Sequence, residues 1–403
     1  SWIRSVVFAA EVVGLLGAAL SDPVHALGVV PATAIDGIGM RRTDATLEAA
    51  LVDNANTRIH YRRTAAMKPQ PMQPALHASI RRWPLREPFV ISRRVFTENI
   101  ALEVVLTADG VSGRGESEPH EHDTAVAEAA REAASALDPE VWSHLDPERL
   151  NAVLPRSPVR TAVDCALWDL LAKRAGRRAW ELLGIDLAPD LRVPVFETLS
   201  LDTPDRMAAA AAAAAAHRAP GLKLKLGHGD GRDAERLEAV HAAAPGAVLT
   251  IDANEGWSPD GLRRILPLAA RLGVVFIEQP LPAGADEALT EMPRLVPFCG
   301  DESCLDRSSL PRLLGRYQLI NIKLDKTGGL TEALHLIAAA KRSGLGHMVG
   351  CNGGSSLAQA PALLLTPGAV MVDLGVHGLA DDRPSPLGWA DHRLSLPEPA
   401  LWG

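Results

Sequence analysis

The chain has 403 residues, enough for a barrel-sized domain and a second one, and its net charge of -8 gives no electrostatic reason to expect nucleic acid or an anionic membrane as a partner. Hydrophobic residues make up 47% but aromatics only 4%, so alanine-rich helices must supply much of the packing. The four cysteines, Cys165, Cys299, Cys304 and Cys351, have no paired spacing, which argues against a zinc cluster or a disulfide framework and suits a reducing, cytoplasmic location.

Residues 1–66 lack the strand-and-helix rhythm of the rest of the chain. Arg4 ahead of an apolar run over 5–20 resembles a secretion leader, with Val24-His-Ala26 as a poor cleavage site. Glu11 interrupts that run, which is also too short to span a bilayer. The expectation is an extension or an upstream start, with Met67 and Met72 as alternative first residues.

Strands are expected over 76–83, 89–91, 100–107 and 111–116, the last two joined by the turn Asp109-Gly110. Helices are expected over 123–137, 147–153 and 159–175, with Gly176 and Gly184 as stops. Residues 73–188 therefore read as an α+β capping domain. Strand then alternates with helix. Strands are expected over 193–201, 222–226, 248–252, 274–278, 298–301, 319–323, 347–351 and 370–374, with the alanine run 208–216 as one of the intervening helices. That order implies an α/β fold, a modified TIM-type (β/α)7β barrel over 189–385, with a tail over 386–403 that returns to the cap.

The strand at 222–226 alternates leucine with Lys223 and Lys225, so both lysines share a face. Solvation would be the ordinary reading of such a pair. The ends of later strands change it, because they carry Asp252 with Asn254, Glu278, Asp301 with Glu302, Lys323, and Asp373. From Lys225 to Lys323 the steps are 27, 26, 23 and 22 residues, about one strand-helix unit each. In a barrel of this type the C-terminal strand ends converge on one mouth. Asp252, Glu278 and Asp301 then form an oxygen-only set suited to Mg²⁺, or to Mn²⁺, with positions left open for substrate. Lys225 and Lys323 flank it from opposite sides, where one can take a proton from a carbon next to a carboxylate and the other can return one. Lys223 beside Lys225, together with the metal, is expected to lower the proton affinity of Lys225.

Together, Lys223-Leu-Lys225, Ile251-Asp-Ala-Asn254, Ile277-Glu-Gln-Pro280, Asp301-Glu-Ser303 and Asn321-Ile-Lys323-Leu-Asp-Lys-Thr-Gly-Gly329 resemble the muconate-cycloisomerase branch of the enolase superfamily, in particular its dipeptide epimerases and N-acylamino-acid racemases. The resemblance runs from about Gln73 to the C-terminus. It implies metal ligands Asp252, Glu278 and Asp301, acid/base lysines Lys225 and Lys323, and Lys223 as the electrostatic helper of Lys225. It further implies specificity loops in the cap. The first matches 84–94 and places Arg94 where relatives acting on Ala-Glu dipeptides grip an acidic side chain; the second, near 118–123, has no assignable role. The family's dipeptide epimerases carry Asp-x-Asp on the eighth strand to hold a free ammonium, whereas this chain has Asp373-Leu-Gly375. A neutral N-acyl group needs less compensation, and Asp381 or Asp382 could stand in for the missing acid. Cys351 ends the seventh strand and lines the pocket, without a histidine motif that would make it a nucleophile.

The reading is a Mg²⁺-dependent epimerase or racemase that inverts the α-carbon of a dipeptide or N-acyl amino acid, glutamate-like by virtue of Arg94, by two-base proton transfer through an enediolate. A cycloisomerase or an o-succinylbenzoate-synthase-like lyase would use the same residues. A catalytically silent barrel would be expected to lack a ligand or base, and none is missing. The partner is a small molecule rather than nucleic acid or membrane, and a homo-oligomer is compatible with the sequence.

Overall fold

The computed structural model describes residues 75–403 apart from 120–122, 376–377, 381 and 385. The segment 1–66, the alternative starts Met67 and Met72, and Asp381 lie outside the described residues. The described part opens with an antiparallel sheet of β1 (Ala75–Val90), β2 (Val95–Ala108) and β3 (Val111–Ser117), in that order. Pairing of β1 with β2 is regular from Ala75↔Thr107 to Pro84↔Glu98 and resumes after a shift at Phe89↔Phe96. Pro84 and Pro88 have no N–H to give, which is why the ladder breaks there and the tip of the hairpin can bend. Asp109 and Gly110 both adopt positive φ, the geometry of a tight turn whose twist matches the strands it joins.

Two helices cover this sheet. In α1 (Thr124–Ser135), capped by the Asp123 carboxylate, Ala127, Ala130 and Ala134 form the buried face. In α2 (Pro158–Ala175), Ser157 caps the start, Pro158 occupies the first turn and Gly176 ends it in the left-handed conformation. β3 lies on α2 at backbone distance: a Cβ placed on Gly115 would stand 2.1 Å from the Ala162 carbonyl oxygen. The core between them holds Leu102, Val104, Leu106, Val163, Leu167 and Leu170.

The single strand expected over 193–201 is in fact two. β4 (Arg192–Pro194) pairs antiparallel with the C-terminal β14 (Arg393–Ser395), which in turn pairs with β13 (Trp389–Ala390); β5 (Glu197–Leu199) opens the barrel. The chain changes partners between Val195, whose N–H donates to His392, and Phe196, whose N–H donates to Val372. The barrel continues through β6 (Leu222–Lys225), β7 (Leu249–Asp252), β8 (Ile277–Glu278), β9 (Phe298–Gly300), β10 (Leu319–Ile322), β11 (Gly346–Gly350) and β12 (Val372–Asp373), all parallel and paired in sequence. The seam between β5 and β12 is joined by the Phe196 N–H to the Val372 carbonyl and by Thr198 Oγ1 to Asp373 Oδ1 at 2.7 Å. Helices α3 (Pro204–Ala216), α4 (Asp233–Ala243), α5 (Pro259–Arg271) and α6 (Leu330–Arg342) pack outside. The alanine run is helix α3, with Met207, Ala211 and Ala214 on its buried side.

The register brings Lys225 opposite Asp252 and Asp252 opposite Glu278, so the polar strand ends stand at one level. The C-terminal residues seat on α2, with Trp402 Nε1 donating to the Cys165 carbonyl at 3.0 Å and the Gly403 N–H to Asp169 at 2.6 Å. Among the described residues no helix is long and apolar enough to cross a membrane.

Because a methyl group on Gly115 has only the α2 backbone to push against, Gly115→Ala is expected to lower unfolding stability by about 3 kcal/mol, the upper part of the range for overpacking. The measurement is the urea midpoint at unchanged m-value; an unaltered midpoint contradicts the close contact.

Candidate active site

Asp252 on β7, Glu278 on β8 and Asp301, one residue past β9, place one oxygen each within 4.8 Å of one another, all buried. They are the one such metal-competent carboxylate group among the described residues. Three hard oxygen donors from three neighbouring strands fit Mg²⁺ in chemistry and in number, since that ion takes few protein ligands and keeps the rest for water or substrate.

Lysines surround the three acids. Lys225 Nζ lies 2.6 Å from Asp252 Oδ2 and 3.0 Å from Asn254 Oδ1. On the other side Lys323 Nζ lies 2.7 Å from Asp301 Oδ2. Lys223 reaches Asp252 at 3.0 Å, Glu278 at 2.8 Å and Asp373 at 2.8 Å. Its immediate partners are therefore acids, and it shares the Asp252 Oδ2 atom with Lys225. Burial opposes the charge on Lys223, but Asp373, Glu278 and Asp252 outweigh it and hold the ammonium well above the usual lysine range. Lys323 is likewise raised, with Asp301 and Glu278 overcoming burial. Among the acids, burial is overcome at Asp252 by Lys225 and Lys223 and at Asp301 by Lys323 and Lys326, and both are held low. At Glu278 burial and the neighbouring Asp252 prevail, and its carboxyl is pushed up to about 7.

Loop backbone fixes these ends. Asn254 and Gln279 follow the ligand strands with φ of 41° and 32°, a strained region for side-chain-bearing residues. Each is held by local hydrogen bonds: the Asn254 N–H donates to Asp252 Oδ1, while Gln279 Oε1 accepts from the N–H groups of Asp301 and Ser303. Asn321 Nδ2 donates to Glu278 Oε1 at 2.7 Å.

The cap closes over this mouth. Lys225 Nζ lies 5.7 Å from the centre of the Phe89 ring, and Ser92 Oγ donates to the Asn254 carbonyl at 3.1 Å. Arg93, which no sequence pattern distinguishes, donates to the Asn254 carbonyl at 3.0 Å and to Glu302 at 3.2 Å. Arg94 stacks 5.5 Å from the Phe96 ring centre on the same hairpin tip. From the second expected loop, Glu118 is buried beside Gly353 of the segment after β11, and residues 120–122 lie outside the described residues.

At the eighth strand both Asp373 oxygens are engaged, by Lys223 and by Thr198. Among the described residues no atom lies within 4 Å of a Cβ placed on Gly375. Asp382 accepts from the N–H and hydroxyl of Ser356, beyond β11. Cys351 donates weakly to the Asp373 carbonyl at 3.7 Å, and burial with the nearby Asp373 charge pushes its thiol up to about 12, so it stays protonated. Lys326, also unforeseen, donates to Asp301 Oδ1 at 2.5 Å and to the Asp301 carbonyl at 2.7 Å. Its signal in the sequence is the repeat of lysine three residues after Lys323.

Residues 76–184 match the family described as mandelate racemase / muconate lactonizing enzyme, N-terminal domain, and residues 206–398 match the enolase C-terminal domain-like family. The L-Ala-D/L-Glu epimerase of Escherichia coli (strain K12) is 41% identical over 315 residues, covering 78% of this chain and 97% of that protein. The N-acetyl-D-glutamate racemase of Pseudoalteromonas sp is 39% identical over 304 residues, covering 74% and 94%. An enolase family member from Agrobacterium tumefaciens with homology to dipeptide epimerases, solved with sodium and L-Ala-L-Glu, superposes with TM-score 0.77 at 41% identity over 82% of this chain and all of that one. A dipeptide epimerase from Methylococcus capsulatus, solved with Mg and L-Arg-D-Lys, gives TM-score 0.71 at 30% identity over 80% and 97%. With cap and barrel both matched, the chain belongs to the enolase superfamily, in its mandelate racemase / muconate lactonizing enzyme branch.

Proposed function

We propose that this chain is a Mg²⁺-dependent epimerase or racemase inverting the α-carbon of a glutamate-containing dipeptide or N-acyl amino acid. The observation that carries the reading is the flanking of one acid triad by two lysines, Lys225 against Asp252 and Lys323 against Asp301. Asp252, Glu278 and Asp301 would hold the ion, which when bound neutralises negative charge building on the substrate carboxylate and offsets the acids that raise Lys323. One lysine, as the free amine, removes the α-proton; the other, as the ammonium, delivers a proton to the opposite face, and inversion follows. Phe89 and the cap hairpin keep water from the proton in transit. Arg94 on that hairpin offers the guanidinium for a glutamate side chain, and the Escherichia coli and Pseudoalteromonas relatives both act on glutamate compounds. The cap is taken as 73–188, the barrel as 189–385 and the returning tail as 386–403. The four cysteines are all unpaired, which suits a reducing cytoplasm.

One observation favours the N-acyl substrate over the free-amine dipeptide. Asp373 is occupied by Lys223 and Thr198, Gly375 brings no carboxylate, and Asp382 accepts from Ser356, so among the described residues the eighth strand offers a substrate ammonium little compensation. The Lys pair alone would also serve a cycloisomerase or a lyase, but those same two relatives are an epimerase and a racemase.

In D₂O, Lys225→Ala and Lys323→Ala should each abolish α-proton exchange from one enantiomer, and from opposite ones, by about 10²–10⁴-fold; exchange surviving from both enantiomers sinks the two-base mechanism. Mg²⁺ at a hundred times its Kd should stabilise the protein by about 2.7 kcal/mol in thermal unfolding, and Asp252→Asn should remove that increment; a response unchanged by the substitution places the ion elsewhere. N-acetylglutamate should show the higher kcat/KM against L-Ala-L-Glu, and Gly375→Asp, whose Cβ meets no atom of the described residues within 4 Å, should shift the ratio towards the dipeptide. A wild-type preference for the dipeptide overturns the N-acyl assignment.

A further inference from the structure

Directly after Lys323 comes one turn of helix, Leu324–Thr327, and the cap grips it from two sides. From α2, Thr161 Oγ1 donates to the Leu324 carbonyl at 3.3 Å, Arg160 Nη2 to the Thr327 carbonyl at 2.7 Å and Arg160 Nε to the Gly328 carbonyl at 3.0 Å. From the end of β3, Ser117 Oγ and the Glu118 N–H donate to Asp325 Oδ1 at 2.8 and 2.9 Å. On the barrel side Lys326 binds Asp301, the residue that also receives Lys323, and the Asn321 carbonyl at 2.9 Å. The turn is thus a bracket between the cap and the Lys323–Asp301 pair.

Arg160 is the centre of that bracket. It is 7% exposed, and its Nη1 donates to the carbonyls of Asn151 and Leu154 at 3.2 and 3.1 Å, so it donates to carbonyls of both domains at once. A planar fork that donates in fixed directions fixes its acceptors in space as a lysine cannot. Gly328 and Gly329 follow from the same contact. Their φ values are +78° and +122°, and a Cβ would stand 2.5 Å from Arg160 Nη2 at the first and 2.5 Å from Asp164 Oδ2 at the second. Asp164 then takes the N–H of Thr331 at 3.0 Å and its hydroxyl at 2.6 Å, which seats the start of α6.

We propose that Arg160 is a positioning residue for Lys323: by holding the turn next to the lysine, cap helix α2 sets the orientation of one base and leaves the other, Lys225, to the barrel and the hairpin tip. The inference rests on the two-base reading. A residue that merely docks two domains would affect both proton transfers alike; a residue that positions Lys323 affects one.

The experiment compares α-proton exchange in D₂O from each enantiomer of N-acetylglutamate, and of L-Ala-L-Glu with its epimer, in the full-length protein with Mg²⁺. Lys323→Ala first identifies the enantiomer served by Lys323, and Lys225→Ala the other. In Arg160→Lys, exchange from the Lys323 enantiomer should fall about ten- to a hundredfold, the effect of a sub-ångström misplacement, while the other enantiomer stays within about twofold. Exchange from the second enantiomer serves as the internal measure of folding. Should Arg160→Lys fail to fold, Thr161→Val removes only one hydroxyl at the same turn and should show the same one-sided loss at about threefold. If the two lysine variants fail on the same enantiomer, the two-base reading is wrong. If they fail on opposite enantiomers, yet the Arg160 or Thr161 variant slows both equally or neither, the positioning role is overturned.

Discussion

The charge on Lys223 is the constraint on which the rest of the barrel mouth depends. Its side chain is 2% exposed and touches three carboxylates contributed by β7, β8 and β12. Removing one ammonium from such a place leaves acids facing acids away from water, the situation in which buried ion pairs are most damaging. The same contact closes the ring, because Asp373 also takes the Thr198 hydroxyl across the seam from β5 to β12. Around this hub cations and anions alternate, Lys225 to Asp252 to Lys223 to Glu278 on one side and Asp301 between Lys323 and Lys326 on the other. Glu278 has the poorest balance, with Asp252 pressing on a fully desolvated carboxyl, and it alone of the three is displaced upward.

A second layer of charge joins cap to barrel. Arg383 beyond the eighth strand pairs with Glu103 of β2 at 2.7 Å and with Glu116 of β3, while Glu116 also accepts from the Ser355 N–H at 2.7 Å. Arg93 binds Glu302 from the hairpin tip. The hairpin tip and the β2–β3 edge of the cap are therefore each tied to loops at the C-terminal ends of barrel strands. These directional polar contacts fix geometry at a junction that is also apolar, since Cys165, Trp168 and Ala172 of α2 share one buried core with Leu330, Ala333 and Leu336 of α6.

The barrel and the triad are legible in the sequence because they rest on local signals: alternation within strands, and polar residues recurring at strand-helix intervals from Lys225 to Lys323. The features that escape such a reading depend on contacts between residues far apart. The break between β4 and β5 arises from a change of partner at Val195 and Phe196, and nothing local announces it except Pro194. Asp373 is visible as a strand-end acid, but not its engagement by Lys223 150 residues earlier. Arg94 is conspicuous by its place in a loop, while its neighbour Arg93 makes the hydrogen bonds to Asn254 and Glu302. Left-handed Asn254 and Gln279 are invisible for the same reason: only their surroundings hold them in that conformation.

The contact of Gly328 and Gly329 with Arg160 and Asp164 bears on how such proteins can diverge. If substrate choice resides in the cap, wholesale exchange of caps between relatives is the short route to a new activity. Here that graft would also replace the helix against which two barrel glycines are shaped. An incoming helix with a bulkier or differently charged pair at those positions would meet a barrel cut for another surface. The portable segment is the β1–β2 hairpin tip, which can be rewritten residue by residue, whereas α2 and the Thr327-Gly-Gly329 turn must change together or remain.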